Sequence, residues 1–381
     1  MGNQLEELSV KMDEIDKQLV DLLNNRMKLS HDIAEERCKA GLSPADPAHE
    51  RALLAKVGTL TDEAHAAYIQ SIFNTVTAVD RSCRNHGVNA SSELYESIRA
   101  ALKNTPELFP QRATVACQGS EGSHSQLACD KVFKSPTILY FNTFENVFKA
   151  VEKGMCEYGI LPIEYSTAGS VNAIYDLMTK HNFSIVRSVR LRVGYDLLAR
   201  PNTKKNALRE IYSTEDVLAS CGDYLGALKN VKVTPVEDLD TAARKAMQFE
   251  NTAAVSTRFS AEAYGLKVLE AEIQDIGDNY TRFICISKNH EIYPGADRVS
   301  LMMTLPHKPG ALYYVLSKFY ALGINLLKLE SRPLADRGFE FMFYFDLECS
   351  VYSPEMERLF CDLEAESEQF RYLGAYSELT C

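Results

Sequence analysis

Apolar residues near the start of the chain recur at alternating steps of three and four: Leu5, Leu8, Met12, Ile15, Leu19, Leu22, Leu29 and Ile33. That spacing is a heptad seam and predicts one long helix over 4–38, ended by Gly41 and Pro44. Asp46-Pro47 offers an N-cap and a proline at the first helical position, so a second helix starts there. Tyr68, Ile72, Phe73, Val76 and Val79 mark one side of a third, over about 61–83. A long seam with only two short partners closes poorly on itself, which predicts a helical dimer. Residues 85–111 read as a linker with a short helix from Glu93 to Leu102. From 113 to about 288 short apolar strands alternate with helices, an α/β pattern with strands near 184–199, 209–213, 231–236, 252–255 and 281–287. Residues 299–376 read strand, helix, strand, strand, helix, strand, the split-βαβ order of a ferredoxin-like unit.

The length, 381 residues, suits two or three domains at roughly 150 residues each. Lys and Arg number 41 against 52 Asp and Glu, a formal charge of −11. Bulk attraction to nucleic acid or an anionic membrane is disfavoured, and a small anionic substrate requires a local cluster of cations. No apolar run approaches the roughly 20 residues of a membrane span, and the acidic start lacks a signal-peptide layout. A cytoplasmic location is therefore expected. The ten cysteines are scattered without a C-x-x-C and the eight histidines are dispersed, so they read as reduced packing thiols with no metal site.

Four places carry candidate chemistry. Arg26 falls in the seam where an apolar residue is due, and Arg37, eleven residues on, returns to within about 20° of the same helix face. Two cations in an apolar groove, with Asp46 and Glu50 on the next helix, suit either a dicarboxylate pocket or structural ion pairs across the bundle. The loop Gln118 to Ser125 joins strand to helix through small residues, as an anion-binding turn does. The loop Leu161-Pro-Ile-Glu164-Tyr-Ser166-Thr167-Ala-Gly-Ser170-Val-Asn172 packs hydroxyls and a carboxylate into a few positions, suited to a site or to helix capping. Asn279-Tyr-Thr281-Arg282-Phe283 sets a hydroxyl beside a cation at the start of a strand; Arg282 suits an anion clamp or a pairing with a nearby Asp.

The segments 161–178 (LPIEYSTAGSVNAIYDLM) and 279–283 (NYTRF), with the pair Gly310-Ala311-Leu312 and Glu330-Ser331-Arg332-Pro333, together resemble the bifunctional chorismate mutase–prephenate dehydratase family over nearly the whole chain. The resemblance implies an all-α mutase domain (1–86), a linker (87–112), a two-lobed, periplasmic-binding-protein-like α/β dehydratase domain (113–288) and an α+β ferredoxin-like ACT domain (297–376). It implies chorismate and prephenate as substrates, L-phenylalanine as an allosteric ligand, a homodimer or higher homo-oligomer, and neither cofactor nor metal. The dehydratase is expected as the main activity. By the same resemblance Thr281, Glu164 and Ser166 are catalytic, and Thr167, Ser170, Ser213 and Arg282 bind the dehydratase substrate. Arg26, Arg37, Asp46 and Glu50 bind the mutase substrate, and Gly310, Ala311, Leu312, Glu330, Ser331, Arg332 and Pro333 bind phenylalanine.

The departures from the family pattern gather at substrate-facing positions. Arg37 replaces a lysine, Ser9 and His49 replace arginines, and Asp80 and Arg84 stand for Ser and Gln. In the dehydratase part Tyr165 replaces an Asn, Tyr195 a His and His124 an aromatic residue, while Thr214, Asp216 and Ser220 occupy positions that are commonly His or Gln. One expectation is that Asp80 pairs with Arg26 or Arg84 and fills the anion pocket with the protein's own carboxylate. The alternatives are an exposed i,i+4 pair and an Arg84 that replaces the lost cation. A phenylalanine-sensing paralogue with drifted pockets is the competing function.

Overall fold

The computed structural model describes residues 2–43, 46–88, 93–166, 169–277, 279–334, 340–353 and 355–380. The N-terminal unit is three helices: α1 (Gly2–Lys39), α2 (Pro47–Leu60) and α3 (Ala66–Val88). The Asp46 carboxylate caps α2 by accepting the His49 N–H at 3.0 Å. α3 packs against both α1 and α2, yet the seam residues of α1 named above remain 50–69 % exposed. A stripe of that size left in water marks an unmet packing face. α4 (Glu93–Asn104), read as part of a linker, inserts Ile98 and Ala101 into the apolar core of the C-terminal unit beside Phe360 and Leu301.

The α/β region is two sheets. β1 (Thr114–Gln118), α5 (His124–Val132), β2 (Thr137–Phe141), α6 (Phe144–Glu152), β3 (Tyr158–Tyr165), β4 (Gly169–Ser170), α7 (Asn172–Met178) and β5 (Ser184–Arg192) build the first lobe. The chain then crosses to the second: β6 (Asp196–Ala199), β7 (Glu210–Ser213), α8 (Glu215–Ser220), α9 (Gly222–Gly226), β8 (Lys232–Pro235), α10 (Leu239–Gln248), β9 (Thr252–Ser256), α11 (Arg258–Tyr264) and β10 (Lys267–Glu270). β11 (Tyr280–Ser287) returns to the first lobe between β5 and β3. The expected single strand over 184–199 is thus two strands in different sheets, divided at 193–195. Val193-Gly194-Tyr195 is a weak local signal for such a break, because β5 and β6 are both largely buried strands. The second sheet has the order β10-β6-β9-β7-β8.

β12 (Arg298–Thr304), α12 (Ala311–Ala321), β13 (Asn325–Pro333), β14 (Phe341–Glu348), α13 (Glu355–Glu366) and β15 (Phe370–Tyr376) form the C-terminal unit, a four-stranded sheet of order β13-β14-β12-β15. This is the predicted split-βαβ topology. One face of the sheet packs on α12, α13 and α4 through Leu301, Phe345, Val315 and Leu359. The other presents Met302, Met342, Tyr344 and Leu373 to the first lobe, where they share a core with Ile163, Tyr175 and Ile185. Gly374 permits this docking: a Cβ there would lie 2.1 Å from the Ile185 carbonyl oxygen. After β15 the chain adds β16 (Glu378–Thr380) to the first lobe's sheet, parallel to β5. Among the described residues no helix is long and apolar enough to cross a membrane.

Candidate functional sites

The helical unit encloses a cavity of about 360 Å³ between α1, α2 and α3, and Arg26, Arg37, Asp46 and Glu50 all line it. The periodicity that put both arginines on one face of α1 is therefore realised. Arg37 lies 2.8 Å from Asp46, and Arg26 is ion-paired with Asp80 of α3. Of the two expected partners for Asp80, the pairing observed is with Arg26; the side chain of Arg84 lies outside the described residues. Asp46 sits below its ordinary pKa, chiefly because its carboxylate accepts the His49 backbone N–H.

In the first lobe β11 runs antiparallel to β3, with Thr281 opposite Tyr165 and Arg282 opposite Glu164. Side chains alternate along a strand, so these pairs point to opposite faces of the sheet. Thr281 and Tyr165 share the face toward the second lobe. Both the Tyr165 and Tyr195 phenols are pushed to higher pKa by burial and by the charge of Asp216 on α8. The His124 ring packs edge-on against Tyr195 with centroids 5.7 Å apart. Its Nε2 is shut off from solvent with no hydrogen-bond partner among the described residues, and burial lowers its pKa to about 4. Ser166 ties the two motifs together: its hydroxyl accepts the Tyr280 N–H at 2.9 Å and donates to the Asn279 side chain at 3.1 Å. The lobes meet where the Thr257 hydroxyl reaches the Gly122 carbonyl at 3.5 Å. Gly122 has φ +85° with Phe259 directly above it, so no other residue fits that turn comfortably.

Four sequence assignments are corrected. Arg282 is not a substrate clamp: it is 6 % exposed and bonded to Asp346 (2.5 Å), Glu378 (3.0 Å), Ser188 and Tyr376. Burial opposes its charge, and Tyr376 with the two carboxylates more than offsets that, raising its pKa. Glu164, on the same face, meets Lys328 of β13 at 2.7 Å, and Ser170 donates to Glu330 at 2.5 Å. Both serve the contact with the C-terminal unit rather than the face of the sheet that Thr281 shares with Tyr165. Ser213 is fully buried with its hydroxyl donated to the Val255 carbonyl at 2.6 Å. Thr167 lies outside the described residues.

The expected phenylalanine residues separate by the same alternation. Ala311 and Leu312 line a cavity of about 130 Å³ with Pro306, Lys308, Phe341 and Phe343. Gly310 begins α12 in the left-handed conformation. Ser331 and Pro333 pair with Phe343 and Phe341, on that cavity's side of the sheet. Glu330 and Arg332 point the other way, Arg332 to Asp176 of α7 at 3.2 Å, which corrects their assignment as ligand contacts. Lys328, Asp346 and Glu378 escaped the sequence reading. Lys328 shares the period-2 face of Glu330 and Arg332, a usable signal; nothing local marks Glu378, whose partners are far away in the chain.

Comparison with known proteins agrees with this layout. The chorismate mutase type II family matches residues 8–82, and the prephenate dehydratase family matches residues 115–291. A bifunctional chorismate mutase/prephenate dehydratase of Aquifex aeolicus is 29% identical over 374 residues, 98% of each chain. Arogenate dehydratase/prephenate dehydratase 2 of Arabidopsis thaliana is 36% identical over 280 residues, covering 70% of this chain and 73% of its own. The crystal structure of prephenate dehydratase in complex with L-Phe from Arthrobacter aurescens superposes with a TM-score of 0.63 at 26% identity, over 69% of this chain and 90% of that one. With helical unit, two-lobed unit and full-length relatives in agreement, the chain belongs to the bifunctional chorismate mutase/prephenate dehydratase family.

Proposed function

We propose that this protein rearranges chorismate to prephenate in the helical cavity and converts prephenate to phenylpyruvate, carbon dioxide and water in the cleft between the α/β lobes. The C-terminal unit, read as an ACT domain, binds phenylalanine at the cavity beside α12 and restrains the second reaction. The observation that carries the dehydratase reading is the pairing of Thr281 with Tyr165 on one face, fixed by the Ser166 bridge between the two motifs.

The chemistry asks little of the protein. The substrate's ring carboxylate leaves as carbon dioxide, its electron pair enters the ring, and the ring hydroxyl departs as water after taking one proton that comes ultimately from solvent. Aromatisation drives the step. The Thr281 hydroxyl donates a hydrogen bond to the departing oxygen as charge develops there, and the Tyr165 phenol is a second donor on the same face. The mutase step is pericyclic, so it needs a held conformer and positive charge near the breaking ether bond, with no nucleophile.

Feedback has a direct mechanical route. β13 carries Lys328, Glu330 and Arg332 on one face, and these engage Glu164, Ser170 and Asp176 around the very loop that follows Tyr165. A ligand on the opposite face of β13 shifts the strand and, with it, that loop. Thr281→Ala is expected to lower kcat for phenylpyruvate formation from prephenate by 100-fold or more, on the order of the usual contribution of a proton-donating side chain, with KM within a few-fold. Unchanged kcat in a folded variant would refute the assignment.

A further inference from the structure

We infer that Asp80 is a specificity-determining residue of the helical cavity: it competes with the substrate's carboxylates for Arg26 and weakens their binding. The inference rests on the mutase reading and sharpens it. Among the described residues five charged side chains line the cavity: the cations Arg26 and Arg37 and the carboxylates Asp46, Glu50 and Asp80. Each cation also carries a carboxylate of the protein: Asp46 on Arg37, Asp80 on Arg26. Asp46 has a second duty as the N-cap of α2. Asp80 lies within α3, is only 3 % exposed, and caps no helix.

An incoming carboxylate has to take Arg26 from Asp80 and then lie beside it. Two like charges a few ångströms apart in a partly buried site repel strongly, because the low effective dielectric screens them poorly. A ligand with hydroxyls in place of a second carboxylate meets no such penalty, since a hydroxyl donates to the Asp80 oxygens. The serine expected at this position from the family resemblance leaves Arg26 available instead.

The test is steady-state chorismate consumption by the full-length protein, Asp80→Ser and Asp80→Asn, at neutral pH. Both substitutions are expected to lower KM for chorismate at least tenfold, about 1.4 kcal/mol. Turnover of prephenate by the same preparations is expected to stay unchanged and reports that each variant is folded; Asp80→Asn, nearly isosteric, decides if the serine variant is not. A KM that is unchanged or raised in the folded variants overturns the inference while leaving the mutase reading intact. Chorismate consumed by none of the three proteins removes the mutase reading and this inference together.

Discussion

A guanidinium as deeply buried as that of Arg282 survives only because its nitrogens meet carboxylate and hydroxyl oxygens on nearly every side. Asp346 is itself held by Ser300 at 2.5 Å, and Ser300 meets the Tyr376 hydroxyl at 2.7 Å. Glu378 is shared between Arg282, Arg190 and Arg298 at 3.0–3.1 Å. Each group answers for another's charge, so removing one leaves others exposed to an apolar interior. Arg282→Met is expected to cost about 3–5 kcal/mol of stability, the usual penalty for breaking a buried pair on one side only. Urea unfolding of the purified variant measures it, and a loss below about 1 kcal/mol would mean the network is hydrated rather than buried. Thr281, one residue earlier, is as buried as Arg282 but faces the other lobe. A single peptide unit separates the proposed reacting hydroxyl from the ion network of the C-terminal unit.

At the scale of elements, β11 does two jobs because a strand has two faces. One face carries Thr281 beside Tyr165 and the other carries Arg282 to the C-terminal sheet. β13 repeats the device, with Lys328, Glu330 and Arg332 toward the first lobe and Ser331 and Pro333 toward the small cavity. α1 shows the opposite economy. It is a helix of 38 residues whose seam carries Arg26, Leu29 and Ile33 into the cavity beside Arg37 and leaves its earlier part, Leu5 to Leu22, turned to water. Large side chains along such a seam are at home only against another helix, and a second copy of α1 offers the same spacing. Replacing both Ile15 and Leu22 by Glu is expected to shift the full-length protein to a smaller assembly in sedimentation velocity at micromolar concentration. Retention of the wild-type mass would remove the seam from the oligomer interface.

At the scale of the molecule, the C-terminal unit is clamped to the first lobe by further devices besides the Arg282 network. An apolar core joins Met302, Met342 and Tyr344 to Ile163 and Tyr175. The polar row of β13 grips the 164–176 segment, and β16 completes the first lobe's sheet. In the proposed regulatory role, a unit joined in this way would transmit a shift of β13 to the 164–176 segment without an intervening linker. Glu330→Gln weakens the Ser170 contact while leaving the cavity beside α12 untouched. The expected outcome is a rise of threefold or more in the phenylalanine concentration that half-inhibits phenylpyruvate formation. An unaltered response would place the coupling elsewhere, the Lys328–Glu164 pair being the next to test.

Local patterning determined a great deal on its own. The heptad spacing of α1, the Asp46-Pro47 helix start and the βαββαβ order of the last unit are short-range properties, so they could be read residue by residue. The placement of Arg26 and Arg37 on one cavity-facing stripe followed from the helical repeat alone. What no local pattern encodes is which face of a strand meets which neighbour. The family resemblance implied one shared site for Glu164, Ser170, Arg282 and Thr281, but the pairing of β3, β4 and β11 turned the first three side chains to the C-terminal unit instead. Glu378 stands 96 positions from Arg282, and the division of 184–199 between two lobes leaves little local trace beyond Gly194. Those choices were made by sheet register and domain docking, where residues remote in the chain supply the partners that buried charge and buried strands require.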